Sequence, residues 1–192
     1  MRKLFAFITI ILMSVINIWY VYLIICGEIH PTLMTWVMFC IAVGLSFATY
    51  WSSEKHNLLD NACNTVDLVS VVVITVAIIF FGKDIRFNIN TIEIICILLS
   101  LVILFFWIIT KKHVTSNMLL QVVMSIAYFP TLYQLWVATV SSEPLITWSV
   151  LWLTSITGII TAILGKDKLA MIYSSRSFVF ITIMLILIVR LL

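Results

Sequence analysis

Two ionisable side chains stand inside apolar runs: Asp67 in "DNACNTVDLVSVVV" and Arg176 in "YSSRSFVFITIM". A charged group at bilayer depth costs about 3 kcal/mol or more, so each marks either a function or an internal tie. Asp60, Asn64 and Asp67 share one helical face, because steps of four and three return to nearly the same angle. Asp67, about two turns in, needs a cation, a network of donors or a proton. It serves as a structural acceptor between helices or as a substrate or proton site. Arg176 either snorkels to lipid headgroups or forms an ion pair with Asp67. Gln121, Ser125 and Tyr128 line a second polar face just before Pro130, and Ser14 and Asn17 a third.

Other chemistries find little footing. Cys26, Cys40, Cys63 and Cys96 have no CxxC spacing and read as small buried residues, so no metal is expected. His30, His56 and His113 fall in separate connections, and no His lies at a spacing that would pair it with Asp67. With five glycines there is no phosphate-cradling loop, and the last apolar run has no lysine for a retinal. The expectation is a protein that is not an enzyme and carries no cofactor. The net charge of +3 is scattered, with no basic cluster suited to nucleic acid.

The elements that position these residues are membrane helices. Of the 192 residues 64% are hydrophobic and 10% charged, and the mean hydropathy is +1.23, whereas a soluble domain carries about a quarter charged residues. Apolar runs of spanning length fall at 4–26, 32–51, 60–81, 89–110, 115–138, 145–164 and 170–191. The first resembles a secretory signal in its basic start, but its apolar stretch is long and lacks small residues for cleavage, so it reads as a retained helix. The connections are short, and the whole of 1–192 reads as one membrane domain.

The chain also repeats itself. A shift of 112 places Thr35, Trp36, Ala42, Ser46 and Thr49 on Thr147, Trp148, Thr154, Gly158 and Thr161. These stripes of small and hydroxylated residues suit close helix packing or a permeation lining. A shift of 111 places Ser14, Asn17 and Trp19 on Ser125, Tyr128 and Pro130, and a shift of 110 places Asn64 and Asp67 on Ser174 and Ser177. The expected fold is all-α and polytopic: seven transmembrane helices in two parallel triple-helix repeats, 4–82 and 115–192, joined by a linker helix at 89–110.

The stretch "AYFPTLYQLWVATVSSEPLITWSVLWLTSITGIITAI" resembles the proline-bearing helix, loop and following helix of the PQ-loop superfamily, which includes the SWEET sugar transporters and the half-size SemiSWEETs. It is most similar to a group of uncharacterised bacterial membrane proteins. The motif resemblance is confined to 124–164 and, more faintly, 13–49. Pro130 is followed by Thr131 rather than Gln, and Trp19 stands where the first repeat would place its proline.

The resemblance implies transport of a small polar solute, sugar-like or another metabolite, by rocking of one triplet against the other. The binding site would lie between the triplets at Asn17, Asn64, Asp67, Ser125, Tyr128, Ser174 and Ser177, with Pro130 as the hinge. Pro130 lacks an N–H, so the helix around it kinks, whether statically or as a moving joint.

Seven basic residues (Arg2, Lys3, Lys55, Lys111, Lys112, Lys166 and Lys168) fall on the side of the amino terminus, against Lys83, Arg86 and Arg190 opposite. That bias places the amino terminus inside, in what reads as a bacterial cytoplasmic membrane. SWEET transporters have the opposite orientation. A non-transporting scaffold or accessory subunit, or a lipid-handling protein, remains the alternative; the partners expected are the bilayer and the solute, with homo-oligomerisation open.

Overall fold

The computed structural model describes residues 1–29, 31, 33–53, 56–82, 91–141 and 143–192. Lys55, Lys83, Arg86 and His30 lie outside the described residues, as does the start of the run expected at 89–110. The described elements are all helical: α1 (Arg2–Cys26), α2 (Leu33–Trp51), α3 (Ala62–Phe81), α4 (Thr91–Thr110), α5 (His113–Ala127), α6 (Phe129–Val137), α7 (Leu145–Gly165) and α8 (Lys168–Val189). Because α5 and α6 form one span, His113–Val137, these segments make seven helices. Five of them (α1, α3, α5–α6, α7 and α8) are long and apolar enough to cross a membrane. The outward faces agree, with Phe80, Phe105, Val102 and Ile186 all exposed, and no aqueous protein would bare so many large apolar side chains on every side.

Local signals set the helix ends. The α1 helix stops where Gly27 takes the left-handed conformation at φ 72°, and the Glu28 N–H then reaches back 3.0 Å to the Leu23 carbonyl. At the α7–α8 reversal Lys166, not the adjacent glycine, is left-handed at φ 54°. The Asp167 N–H donates to the Ala162 carbonyl at 3.0 Å, and Asp167 Oδ1 caps α8 by accepting from the Ala170 N–H at 3.0 Å. Gly165 is needed for a different reason: a Cβ there would lie 2.3 Å from Asp60 Oδ1.

Packing brings distant helices together. The α3 helix lies against both α1 and α2, and α8 lies against α7 and against α5–α6. Across the bundle α1 packs on α7, α2 on α5 and α3 on α8, while α4 leans on α5 and α2. Polar side chains stitch these contacts: Asn17 Nδ2 donates to Ser70 Oγ at 2.7 Å, Thr9 Oγ1 to Thr157 Oγ1 at 2.7 Å and Trp152 Nε1 to Thr182 Oγ1 at 2.9 Å. Thr147, Thr154, Gly158 and Thr161 are buried in helix contacts, as a close-packing stripe requires. Arg190, at the end of α8, donates to the Leu135 and Trp136 carbonyls at 3.1 and 2.7 Å and so caps α6.

Before α7, Glu143 Oε2 accepts from the Trp148 indole N–H at 2.9 Å. Burial pushes the Glu143 carboxyl above its ordinary value, and the Trp148 hydrogen bond draws it partly back. A carboxyl raised in the folded state favours folding while protonated, and that advantage is lost as pH rises from the ordinary glutamate value through the folded one. Glu143→Gln is therefore expected to melt with the wild type at pH 3.5 and to gain on it as pH rises through the carboxylate range, then level off. Thermal unfolding in detergent from pH 3.5 to 7 measures this, and parallel curves would remove Glu143 from the account.

Candidate functional site

At the heart of the bundle α2, α3, α5 and α8 turn polar side chains toward one another. Ser46, on α2, is fully buried. Its Oγ is approached by Asn64 Nδ2 from α3 at 3.3 Å and by Gln121 Nε2 from α5 at 3.1 Å. Asn117 Nδ2 donates to the Ser46 carbonyl at 2.8 Å and to Thr49 Oγ1 at 3.1 Å. These groups hold one another because amides left bare in hydrocarbon cost several kcal/mol each by the usual estimates.

Gln121 joins this group to the charged one. Its Oε1 accepts from Arg176 Nε at 3.0 Å, and Arg176 Nη2 lies 3.2 Å from Ser177 Oγ. The guanidinium carbon sits 4.9 Å from the Tyr173 ring centroid and 5.9 Å from that of Tyr128, so two aromatic faces solvate the cation. The Tyr173 hydroxyl in turn donates to Asp67 Oδ2.

The ion pair expected between Asp67 and Arg176 is thus not a direct one. Among the described residues the only pair within 4.0 Å is that of Arg2 Nε with Asp60 Oδ1 at 2.7 Å. Tyr173 links the two half-buried charges instead, through its hydroxyl on one side and its ring on the other. Nor does Arg176 snorkel outward, since its three nitrogens are engaged or buried within the bundle.

Of the residues singled out in the sequence, Asp67, Tyr128 and Ser177 meet around Arg176, and Asn64 joins them through Ser46 and Gln121. The other three go elsewhere. Asn17 is engaged with Ser70 between α1 and α3, and Ser125 donates to its own helix at the Gln121 carbonyl, 2.8 Å away. Ser174 faces Gly158 at the crossing of α3, α7 and α8. Asn117, which carries no polar counterpart in the first repeat, sits at the centre of the cluster. Its position one turn before Gln121 on the same face was the signal available.

The expected continuous run at 115–138 is broken. The α5 helix ends at Ala127 and α6 begins at Phe129, with the Tyr128 N–H turned back to the Ser125 carbonyl at 3.2 Å. Pro130 lies in α6 and has no N–H to give the Ile126 carbonyl, so the interruption falls just upstream of the proline. The break puts Tyr128 beside Arg176, where it stacks on Phe180 with ring centroids 5.2 Å apart.

A cavity of about 750 Å³ opens at the rim that holds the starts of α5 and α8 and the α2–α3 connection. Its walls include Ser53, Asp60, Lys112, His113, Lys166 and Asp167. Ser53 and Lys112 lie about one turn beyond Thr49 and Asn117 along the chain. The cavity thus ends about a turn short of a chain of hydrogen bonds and one cation–ring contact that runs from Asn117 through Ser46, Gln121, Arg176 and Tyr173 to Asp67. Beside the cavity, burial raises the Asp60 carboxyl above its ordinary value, while Arg2 pulls it down.

No family model, curated protein or solved structure matches the chain. What the site does must be carried by its own geometry.

Proposed function

We propose that the chain moves a small polar solute across a membrane by rocking two parallel three-helix units, α1–α3 and α5–α8, with α4 as the linker. The observation that carries this reading is the polar path between the units, from the rim cavity to Arg176 and Asp67. A site between repeats near the midplane, reached from one side at a time, is the general arrangement of such carriers.

Two further observations support the two-unit description. The third helix of each unit packs against the other two, and the cross-unit contacts α1 on α7 and α2 on α5 exchange under the same operation. At residue level Ser46 meets Asn64, and their counterparts by the shifts of 112 and 110, Gly158 and Ser174, also meet. Under this reading all seven helices span, the rim with Lys3, Lys111, Lys112, Lys166 and Lys168 faces the cytoplasm, and bending at Tyr128–Pro130 accompanies the exchange.

Single cysteines at Met118, beside the cavity, and at Ser125, beyond the polar path, provide the test in sealed vesicles with a membrane-impermeant thiol reagent. The expected result is labelling of Met118→Cys from the cytoplasmic side and of Ser125→Cys from the other, with Pro130→Ala slowing the second. If neither side labels Ser125→Cys, the path is packed shut and a scaffold is the better description. If Met118→Cys labels from outside, the orientation is reversed.

A further inference from the structure

We infer that the solute is a small organic anion, carrying a carboxylate or a phosphate, that enters through the rim cavity. The inference rests on the transport reading for its account of the route, and on two separate observations for the charge.

The first is the charge left uncommitted in the cavity wall. Among the described residues of the wall, Lys112, Lys166 and Lys168 contribute three ammonium groups, against the carboxylates of Asp60 and Asp167. Only Asp60 is offset by a cation; Asp167 is held by neutral donors and keeps its charge, so the described wall stays net positive. Asp60 pairs with Arg2 at 2.7 Å, while Asp167 gives one oxygen to the Ala170 N–H at 3.0 Å and the other to the Tyr50 hydroxyl at 2.6 Å. His113 Nδ1 accepts from the Trp107 indole at 2.7 Å, so in the neutral ring Nε2 carries the proton and is a donor. A concave wall of net positive charge beside low-dielectric protein concentrates anions at its mouth.

The second observation lies at the inner end of the path. Among the described residues, Arg176 Nη1 is buried and has no hydrogen-bond partner, and the buried Oδ1 of Asn64 likewise has none. A guanidinium with an unpartnered N–H pair, already oriented by Gln121 on its Nε, suits a carboxylate or phosphate oxygen once the path opens. Asn64 Oδ1 would accept from a hydroxyl or amine on the same molecule. A neutral sugar would satisfy neither the cavity wall nor the open guanidinium nitrogen as well.

The measurement is thermal unfolding of the purified protein in phosphatidylcholine nanodiscs, titrated with inorganic phosphate, succinate or glucose at matched ionic strength. We expect saturable stabilisation by phosphate or succinate and none by glucose. Half-saturation should move upward at least about tenfold in Lys112→Gln/Lys168→Gln. It should stay unchanged in Lys3→Gln, a lysine outside the cavity wall. Arg176→Gln should also weaken binding, and if it does not fold, the rim double variant decides alone. Glucose acting as well as the anions, no stabilisation by either anion, or equal loss in Lys3→Gln would each overturn the inference. Stabilisation only when phosphatidylglycerol is added to the discs would make the cavity a lipid headgroup site and overturn the solute assignment. Because binding is read without transport, a bound anion with no two-sided labelling of the path would sink the transport reading and leave the anion site standing.

Discussion

Gly158→Ala is expected to lower stability by about 1–3 kcal/mol, the usual range for forcing an extra methyl into a close-packed core. The reason is local. A Cβ at 158 would lie 2.3 Å from Cys63 Sγ and 2.9 Å from Ser174 Oγ, both on helices that cross α7 at this point. To make room Cys63 must give up its contact with the Thr154 carbonyl at 3.5 Å and Ser174 must turn away, or α3 and α8 must move apart from α7. The same change is expected to be partly rescued by Cys63→Ala, which removes the nearer atom, and thermal unfolding of the two singles and the double measures the rescue. Additive losses would show that the helices had already relaxed around the new methyl.

The second large effect concerns the half-buried charges of Asp67 and Arg176. Asp67→Asn leaves Arg176 as an uncompensated cation, and Arg176→Gln leaves Asp67 as an uncompensated anion. Each is expected to cost about 3–5 kcal/mol. The double variant removes both charges and should recover part of the loss, with a coupling of about 0.5–3 kcal/mol even though Tyr173 mediates the contact. Tyr173→Phe should cost less than either single, about 1–3 kcal/mol, because it deletes the donor to Asp67 and keeps the ring under Arg176. Chemical unfolding in detergent at neutral pH gives all four values. Strict additivity of Asp67→Asn and Arg176→Gln would mean that each charge has its own compensation and that the two do not form one unit.

The helices themselves were largely legible. Runs expected at 4–26, 60–81, 145–164 and 170–191 correspond to Arg2–Cys26, Ala62–Phe81, Leu145–Gly165 and Lys168–Val189, because lipid demands long apolar segments and turns need polar residues and glycine. The break at Tyr128 was displaced from the expected joint because the missing N–H of Pro130 acts on the turn before it. In the site, equivalence between repeats points to Asn17, Ser125 and Ser174 as well, and these three lie outside the cluster around Arg176. Their counterparts need not face the same neighbours once one unit carries Asn117 and Gln121 and the other carries Ala6 and Ile10. The rim cavity had no signature at all, being assembled from three connections far apart in the chain.

The long reach of these contacts has a consequence for how the protein is made. Asp67 and the tyrosine that hydrogen-bonds it are separated by 106 residues. At a synthesis rate of about 5–20 residues per second, the carboxylate enters the membrane roughly 5–20 s before its donor exists. Thr9 can wait, since its hydroxyl also reaches the Phe5 carbonyl one turn back, 2.9 Å away. Asp67 has no such local refuge among its described contacts, so the nascent first half must be sheltered by the insertion machinery, or carry a proton, until α8 arrives to claim it.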